Sequence, residues 1–200
     1  LSGRVLTRVT NVFDNMTSAL TSEALQKIAE EASPLRSSHG DDIRLNAKLF
    51  QRIKAVYEQK EGLGLTAEQE RVLTRYYREF VRGGANLEQA QQEQLRSINQ
   101  ELALLELKFG DHVLKETNDY SLIIDQPGDL AGLPPALVSA AAEAAAERGH
   151  GGKWVFTLQA PSIFPFLQYA ENRPLRRQIY EAYLQRGDQN NENDNKKILS

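Results

Sequence analysis

The fold is decided by the stretch LRSINQELALLELKFGDHV at residues 95–113. Its apolar side chains recur at every third or fourth position, at Leu95, Ile98, Leu102, Leu105, Phe109 and Val113. This spacing is typical of one face of an α-helix. With Asn86 as its predicted start and an end near Asn118, the helix has roughly thirty residues and a length of ~45 Å. We therefore expect a rod against which shorter helices pack.

Helical spacing also dominates the first forty residues. Their apolar positions are Val5, Val9, Val12, Phe13, Leu20, Leu25, Ile28 and Ala32. Pro34 is expected to interrupt or kink this pattern, because proline lacks a backbone donor and clashes with the preceding turn.

Two capping signals predict a pair of antiparallel helices after this region. Asn46 can cap a helix that ends in the turn at Gly62–Gly64. The buried side of that helix is predicted to be Leu49, Phe50, Ile53, Val56 and Tyr57. Thr66 and Gln69 match the capping-box pattern of a second helix, which the pair Gly83-Gly84 ends. Its apolar stripe is Leu73, Tyr76, Tyr77 and Phe80.

Composition changes after the long helix, where two β-prone runs appear. Ser121–Ile124 is predicted to be a short strand, and Lys153–Leu158 is a second run that could pair with it in a small hairpin-like sheet. Between them, the proline pair at 134–135 suits the first turn of an alanine-rich helix, Ala136–Glu147, which Gly149 ends.

The last quarter of the sequence contains an aromatic and proline-rich patch at residues 161–169, predicted to be a short helix or an irregular loop. Asn172 and Pro174 then start a helix that ends at Gly187. The polar run at 188–195 is predicted to be a loop or linker.

These patterns predict a mainly α chain with one small β element. We place helical hairpins and the long helix in residues 1–118, the β element with its helices in 119–187, and a polar loop with the start of a cut helix in 188–200. The sequence starts at Leu1 without methionine and stops at Ser200 just after a new apolar pair, so we expect an excised segment.

Charge and composition narrow the function classes. The net charge of -3 gives no broad basic field, so we expect no nucleic-acid partner. No apolar run approaches the ~20 residues of a membrane helix, so no membrane partner is expected. The absence of cysteine fits a reducing compartment. We predict a cytoplasmic location, with export as the alternative because the amino end appears cut.

The chain contains no complete zinc-peptidase motif. Its histidines are His39, His112 and His150. They are followed by Gly40, Val113 and Gly151, so none can open the zinc-binding pattern His-Glu-x-x-His. We therefore predict no catalytic and no metal residue in these 200 residues.

Two weaker metal candidates have simpler explanations. His112 and Glu116 stand four apart on a predicted helix, as two metal ligands could, but no second pair completes the coordination that zinc requires. We favour a solvated or packing role for them. His39-Gly40-Asp41-Asp42 also offers donor atoms, but the residue types of a turn already explain it.

Three other patterns invite a functional interpretation. Gly149–Lys153 resembles a phosphate loop, but Glu147 and Trp154 occupy the positions that need glycine and Ser or Thr, so we predict a helix-to-strand loop. Asn15-Met16-Thr17 matches the glycosylation triplet, which we treat as chance. The aromatic groups Phe164, Phe166 and Tyr169, and Tyr76 with Tyr77, could line a peptide-binding wall, but core packing is favoured. The substrate-binding residues are therefore unknown.

Six short motifs, in this order and spacing, resemble the thimet-oligopeptidase family of zinc metallopeptidases. They are FVRGGANL at 80–87, INQEL at 98–102, LAGLP at 130–134, KWVFTL at 153–158, NRPLR at 172–176 and NDN at 193–195. The resemblance covers nearly all 200 residues. Within the family it is strongest to the bacterial peptidyl-dipeptidases, with the oligopeptidase A group second.

The resemblance implies a helical, neurolysin-like enzyme of two lobes with a deep narrow channel between them, of which this chain would be the amino-terminal lobe. It also implies one zinc ion, held by His-Glu-x-x-His and a later glutamate, with the motif glutamate as general base. None of those positions lies in this chain, so the zinc would be bound outside it. The implied partners are the carboxyl-terminal catalytic lobe and short peptides.

The sequence therefore predicts the channel-forming lobe of a zinc-dependent peptidyl-dipeptidase, which releases carboxyl-terminal dipeptides from short peptides. The lobe alone is predicted to be inactive. One alternative is the lobe of an oligopeptidase A-like endopeptidase. Another is a non-enzymatic interaction or scaffold module that recruits a partner through its long amphipathic helix.

Overall fold

The computed structural model describes residues 3–200, and Leu1 and Ser2 lie outside them. The described residues form nine α-helices and two short strands. The helices are α1 (Arg4–Ala19), α2 (Glu23–Arg44), α3 (Ala47–Glu58), α4 (Ala67–Arg82), α5 (Gln89–Asp119), α6 (Pro135–Glu147), α7 (Ala160–Tyr169), α8 (Arg173–Leu184) and α9 (Lys196–Leu199), and the strands are β1 (Leu122–Ile124) and β2 (Trp154–Phe156). The predicted mainly α fold with one small β element is confirmed.

The chain divides between Leu107 and Lys108 into two compact units, which we call unit 1 and unit 2. The division falls inside α5, so that helix begins in unit 1 and ends in unit 2. The domain limits placed at residues 118 and 187 stay predictions. Within residues 3–200 we find no helix that is both long and apolar enough to cross a bilayer.

In unit 1, helices α1 and α2 form the first pair. Helix α1 ends at Ala19, and Ser22 caps the start of α2. The Ser22 Oγ accepts a hydrogen bond from the backbone N–H of Leu25 at 3.3 Å. Helix α2 then continues through Pro34, so the predicted interruption is wrong. Proline removes a single helical donor, and a contact beside it helps to hold this turn, since Ser33 Oγ donates to the Ala103 carbonyl at 3.3 Å.

Helices α3 and α4 begin at the two predicted caps. The side-chain oxygen of Asn46 accepts from the N–H of Leu49 at 2.9 Å. The Thr66 hydroxyl accepts from the Gln69 N–H at 3.3 Å, and the Gln69 side chain accepts from the Thr66 N–H at 3.0 Å. Both capping predictions are confirmed, because each cap needs only groups within three residues of itself.

Aromatic side chains fill the space between α3 and α4. The rings of Tyr57 and Tyr77 stack with centroids 4.0 Å apart, and Phe50 lies 5.9 Å from Tyr77 and 6.2 Å from Phe80. Phe50, Phe80 and Leu45 are buried. These contacts form the centre of the unit 1 core.

The long helix α5 ends at Asp119, as expected, but begins at Gln89 rather than Asn86. Asn86 lies instead inside a turn that is closed by a 3.0 Å hydrogen bond from the Leu87 N–H to the Gly84 carbonyl. At the start of α5, the Gln91 side chain accepts a hydrogen bond at 3.1 Å from the backbone N–H of Glu88, three residues earlier in the sequence. An asparagine that already belongs to a turn is not available as the cap.

In unit 2, β1 and β2 pair antiparallel, with Leu122 opposite Phe156 and Ile124 opposite Trp154. The predicted pairing is confirmed, although the connection is helix α6 rather than a hairpin turn. Ala145 of α6 is fully buried, and its small side chain permits close packing on the sheet.

The unit 2 core is one cluster of buried side chains from the sheet, α6, α7, α8 and the segments that connect them. Its members are Leu122, Ile124, Leu133, Ala141, Phe156, Leu158, Ile163, Phe166, Ala170 and Ile179. The patch at 161–169 belongs to helix α7, which settles the choice between helix and loop. Asn172 caps α8 by accepting from the Leu175 N–H at 3.1 Å. The helix ends at Leu184, three residues before Gly187.

Candidate functional site

The strongest concentration of buried polar groups lies in unit 2, around the pair that the sequence offered as metal ligands. His112 and Glu116 are each 7% exposed and lie one turn apart on α5. The segment from Gly187 to Asn195 covers them. We call His112, Glu116, Gly187, Asn191 and Asn195 the Glu116 cluster. Of the two roles we favoured, packing is confirmed and solvation is wrong.

Glu116 uses both carboxylate oxygens to hold that segment. Oε2 accepts a hydrogen bond from the backbone N–H of Gly187, and Oε1 accepts from the Asn191 side-chain amide at 2.7 Å. A buried carboxylate is costly unless donors compensate its charge. Here a backbone N–H and a neutral amide supply that compensation. The geometry describes a structural anchor for residues 187–195.

His112 holds the other end of the same segment. Its Nδ1 lies 2.8 Å from the side-chain oxygen of Asn195, and the Asn195 amide nitrogen donates to the Phe109 carbonyl at 3.3 Å. Since the amide nitrogen is used in this way, the oxygen faces His112 and must accept. The arrangement therefore assigns the imidazole proton to Nδ1.

Gly187 has a conformation that explains why glycine stands there. Its φ is +74°, and a Cβ atom would lie 2.6 Å from the Asn195 amide nitrogen. The Gly187 carbonyl also accepts from the Asn195 N–H at 2.7 Å. The two ends of the segment are thus joined to each other as well as to α5. A glycine followed by an asparagine-rich run was the available sequence signal, and we interpreted it only as a loop.

Replacing Glu116 with alanine is expected to lower the free energy of unfolding of unit 2 by about 1–3 kcal/mol, the usual cost of leaving buried donors unsatisfied. Fluorescence of Trp154, the single tryptophan, reports on this unit during urea unfolding. Lys115→Ala, at an exposed position of the same helix within unit 2, is the matched control and is expected to change stability by less than ~0.5 kcal/mol. Equal effects of the two substitutions would contradict the anchoring role.

Asp194 orders the start of α9. Its carboxylate accepts from the N–H of Lys196 at 2.8 Å and from the N–H of Asn190 at 2.6 Å. The Lys196 ammonium lies 3.2 Å from Asp194 and 2.6 Å from Asp188. The backbone N–H of Lys196, more than any other neighbour, holds the pKa of Asp194 below its ordinary value of 3.8.

This lowered pKa predicts a pH dependence. Since the folded state favours ionised Asp194, its contribution to stability is present above pH 3.8 and is lost as the pH falls through the lower folded pKa. In a carboxylate NMR titration, the midpoint of Asp194 is expected below its ordinary pKa of 3.8. Asp194→Asn should weaken the fold near neutral pH and have no effect at strongly acidic pH. A midpoint for Asp194 at or above 3.8 would contradict the assignment.

The other predicted metal candidate has a different setting from the one expected. All four residues of His39–Asp42 lie inside α2, so the turn interpretation is wrong. Asp41 is buried and accepts from the Asn99 amide at 2.8 Å, and Asp42 pairs with Arg96 at 2.8 Å. These contacts with α5 favour helix over turn. Across residues 3–200, no group of three or more His, Cys, Asp or Glu side chains is arranged to hold a metal ion.

The structure also shows where the phosphate-loop-like segment and the glycosylation triplet lie. Gly149–Lys153 connects α6 to β2, as predicted for a helix-to-strand loop. Asn15 lies exposed on α1, with its amide donating to the Asn11 carbonyl at 2.7 Å.

The aromatic candidates divide between core and surface. Phe166 is fully buried, whereas Phe164 is 53% and Tyr169 45% exposed, so the core prediction is right for the first and wrong for the other two. Tyr77 stacks in the unit 1 core, and Tyr76 is 54% exposed. The difference arises because neighbouring positions on one helix point in different directions. Exposed aromatic groups are the ones available to a ligand.

Relatives among characterised proteins cover almost the whole chain. It is 35% identical over 198 residues, 99% of its length, to dipeptidyl carboxypeptidase of Escherichia coli. It is 32% identical over 168 residues, 81% of its length, to probable cytosolic oligopeptidase A of Arabidopsis thaliana, and 28% identical over 198 residues, 97% of its length, to oligopeptidase A of Haemophilus influenzae. No protein-family model matches it.

The chain spans only 29%, 24% and 29% of the length of these three relatives. The 198 residues matched to dipeptidyl carboxypeptidase are nearly the whole chain, and so include the segments that carry the six motifs. The similarity to these relatives confirms the resemblance noted in the sequence to the thimet-oligopeptidase family of peptidases, which includes dipeptidyl carboxypeptidase and oligopeptidase A.

Proposed function

We propose that the chain is one lobe of a zinc-dependent peptidyl-dipeptidase, in which it forms a wall of the channel that admits short peptides. The observation that carries the proposal is the 35% identity with a dipeptidyl carboxypeptidase over 99% of the chain. The oligopeptidase A relatives of bacteria are less similar, at 26% to 28% identity. This difference favours the peptidyl-dipeptidase over the endopeptidase.

In this proposal the chemistry belongs to a part of the polypeptide outside these 200 residues. None of the three histidines is followed by the glutamate of His-Glu-x-x-His. His112, the buried histidine, uses Nδ1 to hold Asn195. Zinc would supply a polarised water molecule at the catalytic lobe, and this lobe would contribute shape, exclusion of folded substrates and support.

The proposal is tested with the intact polypeptide that contains this chain and a short peptide with a free carboxyl end. We expect release of the carboxyl-terminal dipeptide, loss of release with a chelator, and recovery with Zn²⁺. The purified 200-residue chain should bind no stoichiometric zinc and release no dipeptide. Turnover by the chain alone, or activity that survives complete metal removal, would overturn the assignment.

The same peptide with an amidated carboxyl end separates the two peptidase classes. A peptidyl-dipeptidase needs the free carboxylate next to the released dipeptide, so we expect at least a ~100-fold lower kcat/KM for the amide, as when a buried ionic partner is lost. An endopeptidase that binds both sides of the cleaved bond would cut the two peptides at similar rates. Comparable rates would therefore favour the oligopeptidase A alternative.

The scaffold alternative is favoured by one observation, the exposed apolar side of α1. An isolated lobe also exposes the surface that meets its other half, so self-association alone does not distinguish the two functions. Mixing the chain with a separately produced catalytic lobe distinguishes the two functions. Recovery of zinc-dependent dipeptide release supports the peptidase lobe, and failure to bind the catalytic lobe at all counts strongly against it and favours the scaffold.

The partners in this proposal are short peptides and the catalytic lobe. The net charge of -3 gives no reason to add nucleic acid. The cytoplasmic location stays a prediction, since the relatives include both a cytosolic and an organellar oligopeptidase A.

A further inference from the structure

Helix α1 has an apolar side that unit 1 leaves uncovered. None of its residues is buried. Val5 is 78% exposed, Val9 and Val12 are each 62% exposed, and Met16 is 45% exposed. Single exposed apolar residues are common on protein surfaces, but a contiguous row marks a place where another surface binds.

Helix α2 completes this row into a groove. Leu25 and Ile28 face the same space as the α1 side chains, and the volume between them is about 730 Å³. The bidentate ion pair between Arg36 and Asp14, at 2.9 and 3.3 Å, joins the two helices beside it. We call this feature the α1–α2 groove. Its lining is Val5, Arg8, Val9, Asn11, Val12, Phe13, Met16, Leu25 and Ile28.

The spacing of the exposed residues indicates what shape fits the groove. Val5, Val9, Val12 and Met16 follow one another at intervals of four, three and four. Alternation of this kind makes the seam of helix pairs that pack nearly parallel. Two helices with such a seam accept a further helix between them, as in a helical bundle. The matching occupant is therefore an amphipathic helix with its own apolar stripe.

Charged residues near the α1–α2 groove set a second requirement for the helix that occupies it. Arg8 lines the outer edge of the groove on α1, and Arg4 lies one turn before it on the same side. Both are exposed. Glu31 lies three positions after Ile28 and so on the same side of α2. An occupant with acidic residues toward α1 and a basic residue toward Glu31 would complement these charges.

We propose that the α1–α2 groove is filled by such a helix from the part of the peptidase polypeptide that this chain does not span. The argument rests on the proposed function, in which the chain is one lobe of a longer protein. The match to the dipeptidyl carboxypeptidase covers 198 of the 200 residues, so it includes α1 and α2. These matched residues make up only 29% of that relative. The dipeptidyl carboxypeptidase that matches this segment therefore has ample further chain beyond it.

Cysteine labelling tests the proposal, because the chain has no cysteine of its own. In the intact polypeptide, Val12→Cys places a thiol in the groove and Ser18→Cys places one on the opposite side of α1, where the structure shows an exposed residue. Labelling by a maleimide is followed peptide by peptide in a mass spectrometer. We expect the thiol at position 12 to react at least ~10-fold more slowly than the thiol at 18, as for a site closed most of the time. Val9→Cys is a second groove position in case one variant perturbs packing.

Each outcome of the labelling experiment leads to a different conclusion. Equal rates at 12 and 18 in the intact polypeptide mean an open groove and overturn the proposal. Concentration-dependent protection of position 12 in the intact polypeptide means that a second copy fills the groove, and also overturns the proposal. Dipeptide release is measured on the same samples. Active enzyme with an open groove contradicts this inference alone, whereas a protected groove without dipeptide release contradicts the proposed function alone.

Discussion

Phe166→Ala is expected to lower the free energy of unfolding of unit 2 by about 3–5 kcal/mol, the range for removing a buried phenylalanine from a packed core. Phe166 is fully buried on α7, and its ring centroid lies 4.5 Å from that of Phe156 on β2. The substitution therefore opens a cavity between a helix and the sheet. Urea unfolding followed by Trp154 fluorescence measures the loss, since Trp154 packs against the same cluster.

Phe164→Ala is the matched control for this substitution. Phe164 lies two residues earlier on the same helix but is 53% exposed, with its ring edge-on to Tyr183 at 6.0 Å. Its removal costs one partly wet aromatic contact, or about 0.5–1.5 kcal/mol. Similar losses for the two variants would mean that Phe166 does not lie in the core as described.

Gly132→Ala is expected to destabilise unit 2 by about 2–5 kcal/mol, from the sum of left-handed backbone strain and overpacking. Gly132 has a φ of +83°, and a Cβ atom there would lie 2.3 Å from the Tyr169 carbonyl oxygen. The neighbouring residue Ala131 accepts a 2.9 Å hydrogen bond from the N–H of Glu171. The clash would therefore separate the segment before α6 from the segment before α8. Urea midpoints and far-ultraviolet circular dichroism measure the effect.

Two other glycines separate the causes of this loss. Gly152 has the same φ of +83° with nothing within 4 Å of its Cβ position, so Gly152→Ala should show the backbone cost alone, about 1–2 kcal/mol. Gly128 has neither feature, and Gly128→Ala should be neutral or slightly stabilising. The expected order of destabilisation is Gly132, then Gly152, then Gly128. If Gly152→Ala costs as much as Gly132→Ala, the close contact at Gly132 is not the cause.

Features that depend on a few neighbouring residues were predictable from the sequence. The caps at Asn46, Thr66 and Asn172 are satisfied by N–H groups three residues away, so the residue types alone predict them. The pairing of β1 with β2 was also predictable, because two short β-prone runs in an otherwise helical chain have only each other to pair with.

Predictions failed where a tertiary contact competes with a local signal. Pro34 predicts an interruption, yet α2 continues through it beside the Ser33–Ala103 contact. His39–Asp42 has turn-forming residues, but Asp41 is buried against Asn99 and the segment is helical. Local preferences are worth at most a few kcal/mol, and packing can exceed them.

The Glu116 cluster shows the same division at the candidate site. The sequence places His112 and Glu116 on one face of a helix, which is a local property of α5. It does not show that Glu116 is paired with the Gly187 backbone and Asn191, both more than seventy residues later, or that His112 is paired with Asn195. A hydrogen-bond donor so distant in sequence is brought close only by the packing of the whole unit.

By itself, the sequence determined the helical periods, the caps at Asn46, Thr66 and Asn172, the family resemblance and the absence of the zinc motif, because each depends on residue types within short spans. Only the tertiary structure decided which apolar stripes became core and which polar groups became buried. Phe166 and Phe164 stand on one helix, yet one is enclosed by the sheet and the other faces solvent. Periodicity defines the faces of a helix, and the position of neighbouring elements decides which face is covered.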